Sequence, residues 1–436
     1  MPEYLFQKAQ QENVTAPGNA AQQGAASHPS EGGLQISVIS SIGLIPIPNA
    51  VVTISYTGDP EQPLMTLTTD ESGQTPPIEL PAPDVEYSLN PEQEVQPYSE
   101  YNIGVTANGY EPVLVSGTEI LPDVTAIQPI RMIPLESSER EEDIFIPVHT
   151  LFGEYPPKIP EDEIKPMEES GEIVLSRVVV PEYVIVHDGV PSDSTAPNYY
   201  VRYKDYIKNV ASCEIYATWP ESALYANILV IMSFTLNRVY TEWYRNQGYD
   251  FTITSSTAYD QKWVYGRNIF ENIDVLVDTI FANFLSRPGV RQPIFTSYCD
   301  GKRVTCAGLS QWGSKYLAEE GYSAIEIIHY YYGNDMYINT ADVISGIPSS
   351  WPGYNLTVGS SGQKVQQMQE QLNRIAQNYP AIPSIAADGI YGQRTADAVR
   401  TFQRIFGLPQ TGVADYATWY EISDIFVGVS EIAEPG

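Results

Sequence analysis

The chain is 436 residues long, enough for roughly two to four domains; 43% apolar against 18% charged residues supplies packed cores and excludes a disordered polymer. With 54 acidic and 23 basic residues the net charge is −31, and no lysine or arginine lies between Lys8 and Arg131. Such a surface repels polyanions, which argues against nucleic acid and anionic lipid as partners. Tyrosine is abundant, at 31 against 12 phenylalanines. Its apolar face and polar tip suit half-buried strands and carbohydrate-facing surfaces.

Residues 1–31 are rich in Gln, Ala, Ser and Gly without apolar periodicity, so a mobile arm is expected there. They lack a basic stretch followed by an apolar one, so no ordinary secretion signal is visible. Residues 32–135 read as strands. Runs such as LQISVIS and AVVTISY alternate apolar and polar positions, and turns rich in Pro, Asp and Gly separate them. Many short strands of this kind predict a sandwich. Pro46-Ile47-Pro48-Asn49-Ala50, Thr69-Asp70 with Gly73, then Tyr101, Val105 and Gly109-Tyr110 resemble the carboxypeptidase regulatory-like (transthyretin-like) β-sandwich family. That resemblance implies a spacer or adhesive module rather than a catalyst.

Residues 136–180 are acidic and proline-bearing, as in EYPPKIPEDEIKPMEESGE, and predict an extended linker, part of it running along a neighbouring domain. Residues 181–340 predict a central α+β domain. A strand is expected at 183–187 and helices at about 220–247, 268–285 and 309–319. Pro220 suits a first helical turn and Gly248 a helix end. Leu224, Ile228, Ile231, Thr235 and Val239 form a core-facing stripe. The most apolar stretch, 226–236, is too short to span a bilayer and contains Asn227, so no membrane span is expected.

Three ordered blocks of the central domain resemble the SpoIID/LytB (stage II sporulation protein D) family. The first holds Tyr206-Ile207, Val210-Ala211-Ser212, Glu214, Trp219-Pro220-Glu221, Ala223-Leu224 and Ala226. The second is Asp260-Gln261 with Tyr265-Gly266, and the third Gly308, Ser310-Gln311-Trp312-Gly313, Ala318, Gly321-Tyr322, Glu326-Ile327 and Tyr331-Tyr332. The sporulation branch resembles lytic transglycosylases that cut glycan strands stripped of stem peptides. The resemblance implies Glu214 as the catalytic acid. It makes Asp260, Gln261, Tyr265, Ser310, Gln311 and Trp312 candidates for lining the glycan groove. One carboxyl suffices: it protonates the glycosidic oxygen, then takes a proton from the sugar's own C6 hydroxyl, which attacks the anomeric carbon. Ordinary glycosidases need a carboxylate pair. The apolar neighbours Ile215, Tyr216 and Trp219 could raise the pKa by desolvation. The amidase-enhancer branch is regulatory, which keeps a non-catalytic reading open. The family's histidine before the Ser-Gln-Trp-Gly block is replaced here, with Thr305 standing about where it would fall.

The three cysteines are too few for a disulfide framework. Cys299 and Cys306 are compatible with a disulfide, with two thiols, or with half of a zinc site, which would need further ligands such as His329 or His187. No cofactor is otherwise expected. Cys213 reads as a small buried residue or a reactive thiol. Tyr240, Trp243 and Tyr244 are either core or sugar-stacking residues.

Residues 341–355 read as a linker and 356–428 as helices, with Val365, Met368 and Leu372 on one face and Ala398, Phe402 and Ile405 on another. No internal repeat is evident. Val358-Gly359, Gly362, Val365, Gln369, Leu372, Asp388-Gly389, Tyr391-Gly392, Thr395, Ala398-Val399, Phe402-Gln403, Gly407-Leu408, Gly412 and Thr418-Trp419 resemble the PG_binding_1 family of peptidoglycan-binding domains. That implies a three-helix bundle binding glycan or stem peptide near the loop 388–394, with Asp388, Tyr391 and Arg394 as candidates. The expected architecture is therefore multidomain: an all-β transthyretin-like sandwich, a central α+β SpoIID-like domain and a C-terminal three-helix bundle. The expected protein is a cell-wall or spore-associated one that binds peptidoglycan and cleaves denuded glycan strands in sporulation or wall remodelling. The alternatives are a non-catalytic regulator of another wall hydrolase and a structural spore or surface component.

Overall fold

The computed structural model describes residues 30–135, 142–165, 177–341, 343–348 and 350–430. The expected arm lies outside these residues except for Ser30 and Glu31, which already belong to the first strand. Strands β1 (Ser30–Ser40), β2 (Val51–Tyr56), β3 (Asp59–Thr68), β4 (Ile78–Ala82), β5 (Ser99–Thr106), β6 (Val113–Ile120), β7 (Thr125–Met132) and β8 (Glu142–Phe145) form two sheets. One runs β3-β2-β5-β6-β8; in the other β1 lies between β7 and β4. Alternate residues of β1, Leu34, Ile36 and Val38, are buried in the shared core with Val52, Ile54, Ile103 and Val115. The Thr69-Asp70 motif is a clasp. The Thr69 hydroxyl donates to the Ile47 carbonyl at 2.6 Å and accepts from the Ala50 amide at 2.9 Å. Asp70 accepts from the amides of Ser72 and Gln74, closing an Asx-type turn. Gly73 there has φ +73°, and a β-carbon would lie 2.3 Å from the Val38 carbonyl oxygen.

Two features tie the sandwich to the chain that follows it. Strand β8 comes from the predicted linker and pairs in parallel with β6. Ile269–Phe270 of the central domain pairs antiparallel with β7, extending the other sheet. The junction is locked by a buried ion pair, in which the Arg267 guanidinium donates to both carboxylate oxygens of Glu119, at 3.1 and 2.5 Å. Asn268 exchanges two further bonds with the Glu119 backbone. The sheet edge at β7 carries unpaired backbone groups, and covering it satisfies them.

In the central domain Tyr183–His187 pairs with Asn198–Arg202 and with Ile253–Thr254. Helices α1 (Tyr203–Glu214), α2 (Glu221–Tyr240), α3 (Glu271–Ile280), α4 (Gln311–Glu319) and α5 (Ala324–Tyr332) follow. The helix expected over 220–247 ends at Tyr240. Glu242 takes a left-handed φ of 47°, and a separate short turn at Arg245–Gln247 closes on Gly248. That reversal returns the Tyr244 hydroxyl to Asp260, at 2.6 Å. The helix expected over 268–285 is only α3, because Ile269–Phe270 joins the sandwich and Asn283–Ser286 pairs with Tyr337–Thr340. Short apolar runs do not distinguish strand from helix by period.

Helix α2 is buried nearly all round rather than on one stripe. It is the one described helix long and apolar enough to cross a membrane, longer than the 226–236 stretch suggested, and it forms the core of this domain. Its polar groups are paired inside the core: Asn227 donates to Ser314 at 2.7 Å and Thr235 to Gln261 at 2.8 Å.

Helices α6 (Gln363–Asn378), α7 (Gln393–Ile405) and α8 (Tyr416–Ser430) form the C-terminal module. It packs directly on the central domain. Tyr416 and Tyr420 pack against Phe281, and Lys204 pairs with Glu421 and Asp424. The linker residue Trp351 lies against Tyr416 and Trp419.

Candidate functional site

Helix α1 ends at Glu214, which places that carboxyl at the rim of the α2 core, where it is buried. One carboxyl oxygen accepts from the Lys262 amide at 2.7 Å, the other from the Tyr298 hydroxyl. The Glu214 carbonyl accepts from the Gln311 side chain at 3.0 Å. Burial raises the Glu214 pKa above the ordinary value, although the nearby Lys158 ammonium and the Tyr298 hydrogen bond oppose it. Burial holds the Tyr298 phenol well above its usual range, so it remains a donor. A carboxyl in this setting keeps its proton at higher pH than an exposed glutamate and can serve as a general acid.

The cavity against Glu214 is lined by Thr150, Tyr155, Lys158, Tyr298, Arg303 and Gln311, among others, and measures about 80 Å³. That is room for a handful of water molecules. Part of the lining comes from 150–158, within the predicted linker. Lys158 places its ammonium 4.6 Å from the Tyr298 ring centroid and 4.7 Å from that of Phe234, and donates to the Asp260 carbonyl. Burial lowers its pKa, against the opposing pull of Glu214 and Asp260. His149 stacks on Tyr216 at 4.5 Å, and burial holds it well below the usual imidazole value, so it is neutral. Lys158 and Tyr298 were not legible as site residues. The only signal was a lysine between prolines and isoleucine, which reads as linker.

The structure separates the other candidates. Gln311 reaches the Glu214 cavity; Ser310 caps α4 through the Gly313 amide at 2.9 Å, and Trp312 is buried against Trp219. Asp260 and Gln261 lie behind the site, fully buried. Asp260 pairs with Arg238 at 2.7 Å and accepts from Tyr244 and Thr254, while Gln261 bonds Tyr206 and Thr235. Their charge and polarity organise the core beneath the cleft instead of facing it. Tyr240 and Tyr244 are likewise core. Trp243 faces the cations of Arg238 and Lys165. Tyr265 stands elsewhere, with Tyr199, Trp263 and Arg131, in a cavity of about 440 Å³ where the sandwich, the central domain and α8 meet. Its hydroxyl donates to Glu142 at 2.9 Å.

Cys299 and Cys306 are bonded to each other in a disulfide, which removes both thiolates as zinc ligands and resolves the three alternatives. The loop they close carries Arg303 to the cavity. His329 donates through Nε2 to the Met336 carbonyl, and His187 faces Asn198. Among the described residues no three or more His, Cys, Asp or Glu side chains cluster as metal ligands. Cys213 is buried and its thiol is pushed up to about 11, so it is the inert small residue of the two readings.

In the C-terminal module two buried glutamines do the same work. Gln369 donates to the Ile390 carbonyl, Asp388 and Thr395, and accepts from the Gly389 amide at 2.9 Å. Gln403 donates to the Val413 carbonyl, Thr411 and Thr418, and accepts from the Gly412 amide at 2.8 Å. Each clasps a glycine turn onto the helix that follows. Of the expected ligand contacts, Asp388 and Arg394 are on the surface, whereas Tyr391 is buried and donates to the Gly412 carbonyl. Tyr391 therefore supports the loop from below.

Residues 361–422 are a peptidoglycan-binding domain. They match the PG_binding_1 family, and the match covers helices α6 and α7 and the first half of α8. The peptidoglycan-binding domain links the chain to the cell wall. No curated protein matches the chain. Among solved structures, the TIE protein of Bacillus anthracis is 16% identical over 24% of this chain and 17% of its own, with a TM-score of 0.18. The minor pilin GBS52 of Streptococcus agalactiae is 16% identical over 26% of this chain and 48% of its own, also at 0.18. A catechol 1,2-dioxygenase from Acinetobacter is 14% identical over 33% and 75%, at 0.18. The chain thus spans less than half the length of the first two, and scores this low define no shared fold.

Proposed function

We propose that this is a cell-wall protein that holds peptidoglycan through residues 361–422 and cuts its glycan strands in a SpoIID-like central domain, with Glu214 as the acid. The observation that carries the cutting is the environment of Glu214: a buried carboxyl of raised pKa, oriented by the Lys262 amide and Tyr298. As a lytic transglycosylase it would protonate the glycosidic oxygen. As the carboxylate it would then take the proton of the C6 hydroxyl while that oxygen closes on the anomeric carbon, giving a 1,6-anhydro sugar without water. Tethering by the peptidoglycan-binding domain raises the local concentration of strand. The sandwich serves as a spacer of the carboxypeptidase regulatory-like kind. A disulfide fits an oxidising location such as the wall or a spore surface.

A second reading is favoured by Lys158, which lines the small cavity against Glu214 and stands over Tyr298. On that reading the central domain is a non-catalytic partner or enhancer of another wall hydrolase, or a structural surface component. The test is digestion of peptide-stripped sacculi with product analysis by mass spectrometry. Glu214→Gln is expected to lower release of anhydro products by about 10²–10⁴-fold, the usual worth of a general acid, with sacculus binding intact. Equal release by both proteins removes Glu214 as the acid.

A further inference from the structure

Glu214 is buried, and one continuous piece of chain, 153–165, begins in the lining of the small cavity against it, through Gly153 and Tyr155 to Lys158. The Gly153 carbonyl accepts from Arg303 at 2.6 Å. Lys158 fills the position beside Glu214, and the Ile159 amide donates to the Ala258 carbonyl at 2.7 Å. Glu161 accepts two bonds from Arg238, at 2.9 and 2.6 Å. Glu163 takes the Arg287 guanidinium through its side chain and the Phe295 amide through its carbonyl. A general acid must come within about 3 Å of the oxygen it protonates. The Lys158 ammonium stands over the ring whose hydroxyl holds the Glu214 carboxyl, and Lys158 lines the same small cavity as that carboxyl.

The segment is built unlike the core it covers. It has no helix or strand over 153–165, and Pro156, Pro157 and Pro160 deny it ladder bonds. Its apolar side chains are turned outward: Ile159 is 46% and Ile164 47% exposed. Polar anchors and the cation–π seats of Lys158 and Lys165 hold it. Segments of that kind open locally before the core does.

We propose that residues 153–165 are an inhibitory strap, with Lys158 as the plug, that must lift before a glycan strand can engage Glu214. The proposal rests on the reading of Glu214 as the proton donor.

The strap is tested first without turnover. Glu214 is labelled with a water-soluble carbodiimide and an amine, and the modified peptide is quantified by mass spectrometry. The unaltered protein is expected to be protected. The double variant Lys158→Ala/Arg303→Ala removes the plug and an exposed anchor. It is expected to label roughly tenfold faster or more, since hydrogen bonds to charged groups are lost from the closed state alone. Glu214→Gln fixes the identity of the labelled peptide. Unchanged labelling overturns the strap. Faster labelling with faster release from peptide-stripped glycan supports both strap and acid. Faster labelling without any release keeps the strap and removes the cutting. Hydrogen exchange on the unaltered protein covers the case of a variant that does not fold. The Ile159 and Phe295 amides are expected to exchange well before those of α2, and exchange of all of them only together with the core also overturns the strap.

Discussion

Tyr298→Phe isolates one hydrogen bond at the candidate acid. Phenylalanine keeps the ring that packs near Phe234 and under the Lys158 ammonium, and removes only the hydroxyl that donates to Glu214. The Lys262 amide remains as a donor to the other carboxyl oxygen. A hydrogen bond to a charged group is worth about 1.5–3 kcal/mol. Its loss raises the Glu214 pKa further, because that bond favours the charged form. The native value is already above that of the unfolded chain. The stability contributed by this group is therefore full below the unfolded value near about 4.3, and is lost as pH rises through the folded value. The variant widens that interval. It should unfold at lower urea concentration than the native protein at neutral and alkaline pH, and the gap should narrow as both are acidified and Glu214 takes up its proton. Carbon-detected NMR of the Glu214 carboxyl reads the titration directly, and urea melts at several pH values read the linkage. A Glu214 titration that does not move, or a stability loss equal at every pH, refutes this account of how the carboxyl is held.

Arg267→Met leaves Glu119 buried without its partner between the sandwich and the central domain, which should cost about 3–5 kcal/mol in urea unfolding. Glu119→Leu with Arg267→Met should recover most of it, and a single-variant loss under about 1 kcal/mol would count against a locked junction. Gln369→Leu strands the Gly389 amide and the Ile390 carbonyl, each at about 1–3 kcal/mol. The loop 388–394 should then loosen and sacculus pull-down should weaken. Native binding by a folded Gln369→Leu protein would move the binding surface away from that loop.

The peptidoglycan-binding domain was legible because its signals are local. Glycines at tight turns, apolar positions at helical spacing and a glutamine in each clasp lie within some sixty residues, and the three helices α6–α8 follow from them. The strands of the sandwich were legible for the same reason, through period-two alternation. Glu214 stood out by its block of neighbours, and Gln311 of the third block reaches it. Chain order could not show that Asp260 and Gln261 turn inward to Arg238 and Tyr206, since the motif names residues and not the side from which they are seen. Nor could composition show that an acidic, proline-bearing stretch would supply a strand to the sandwich and a lysine to the Glu214 cleft. Residue types alone determined an acidic, multidomain chain with a wall-binding end and a carboxyl set among apolar neighbours. The tertiary structure decided what surrounds that carboxyl, because burial, ion pairing and a covered cleft arise from residues distant in sequence whose meeting no local pattern encodes.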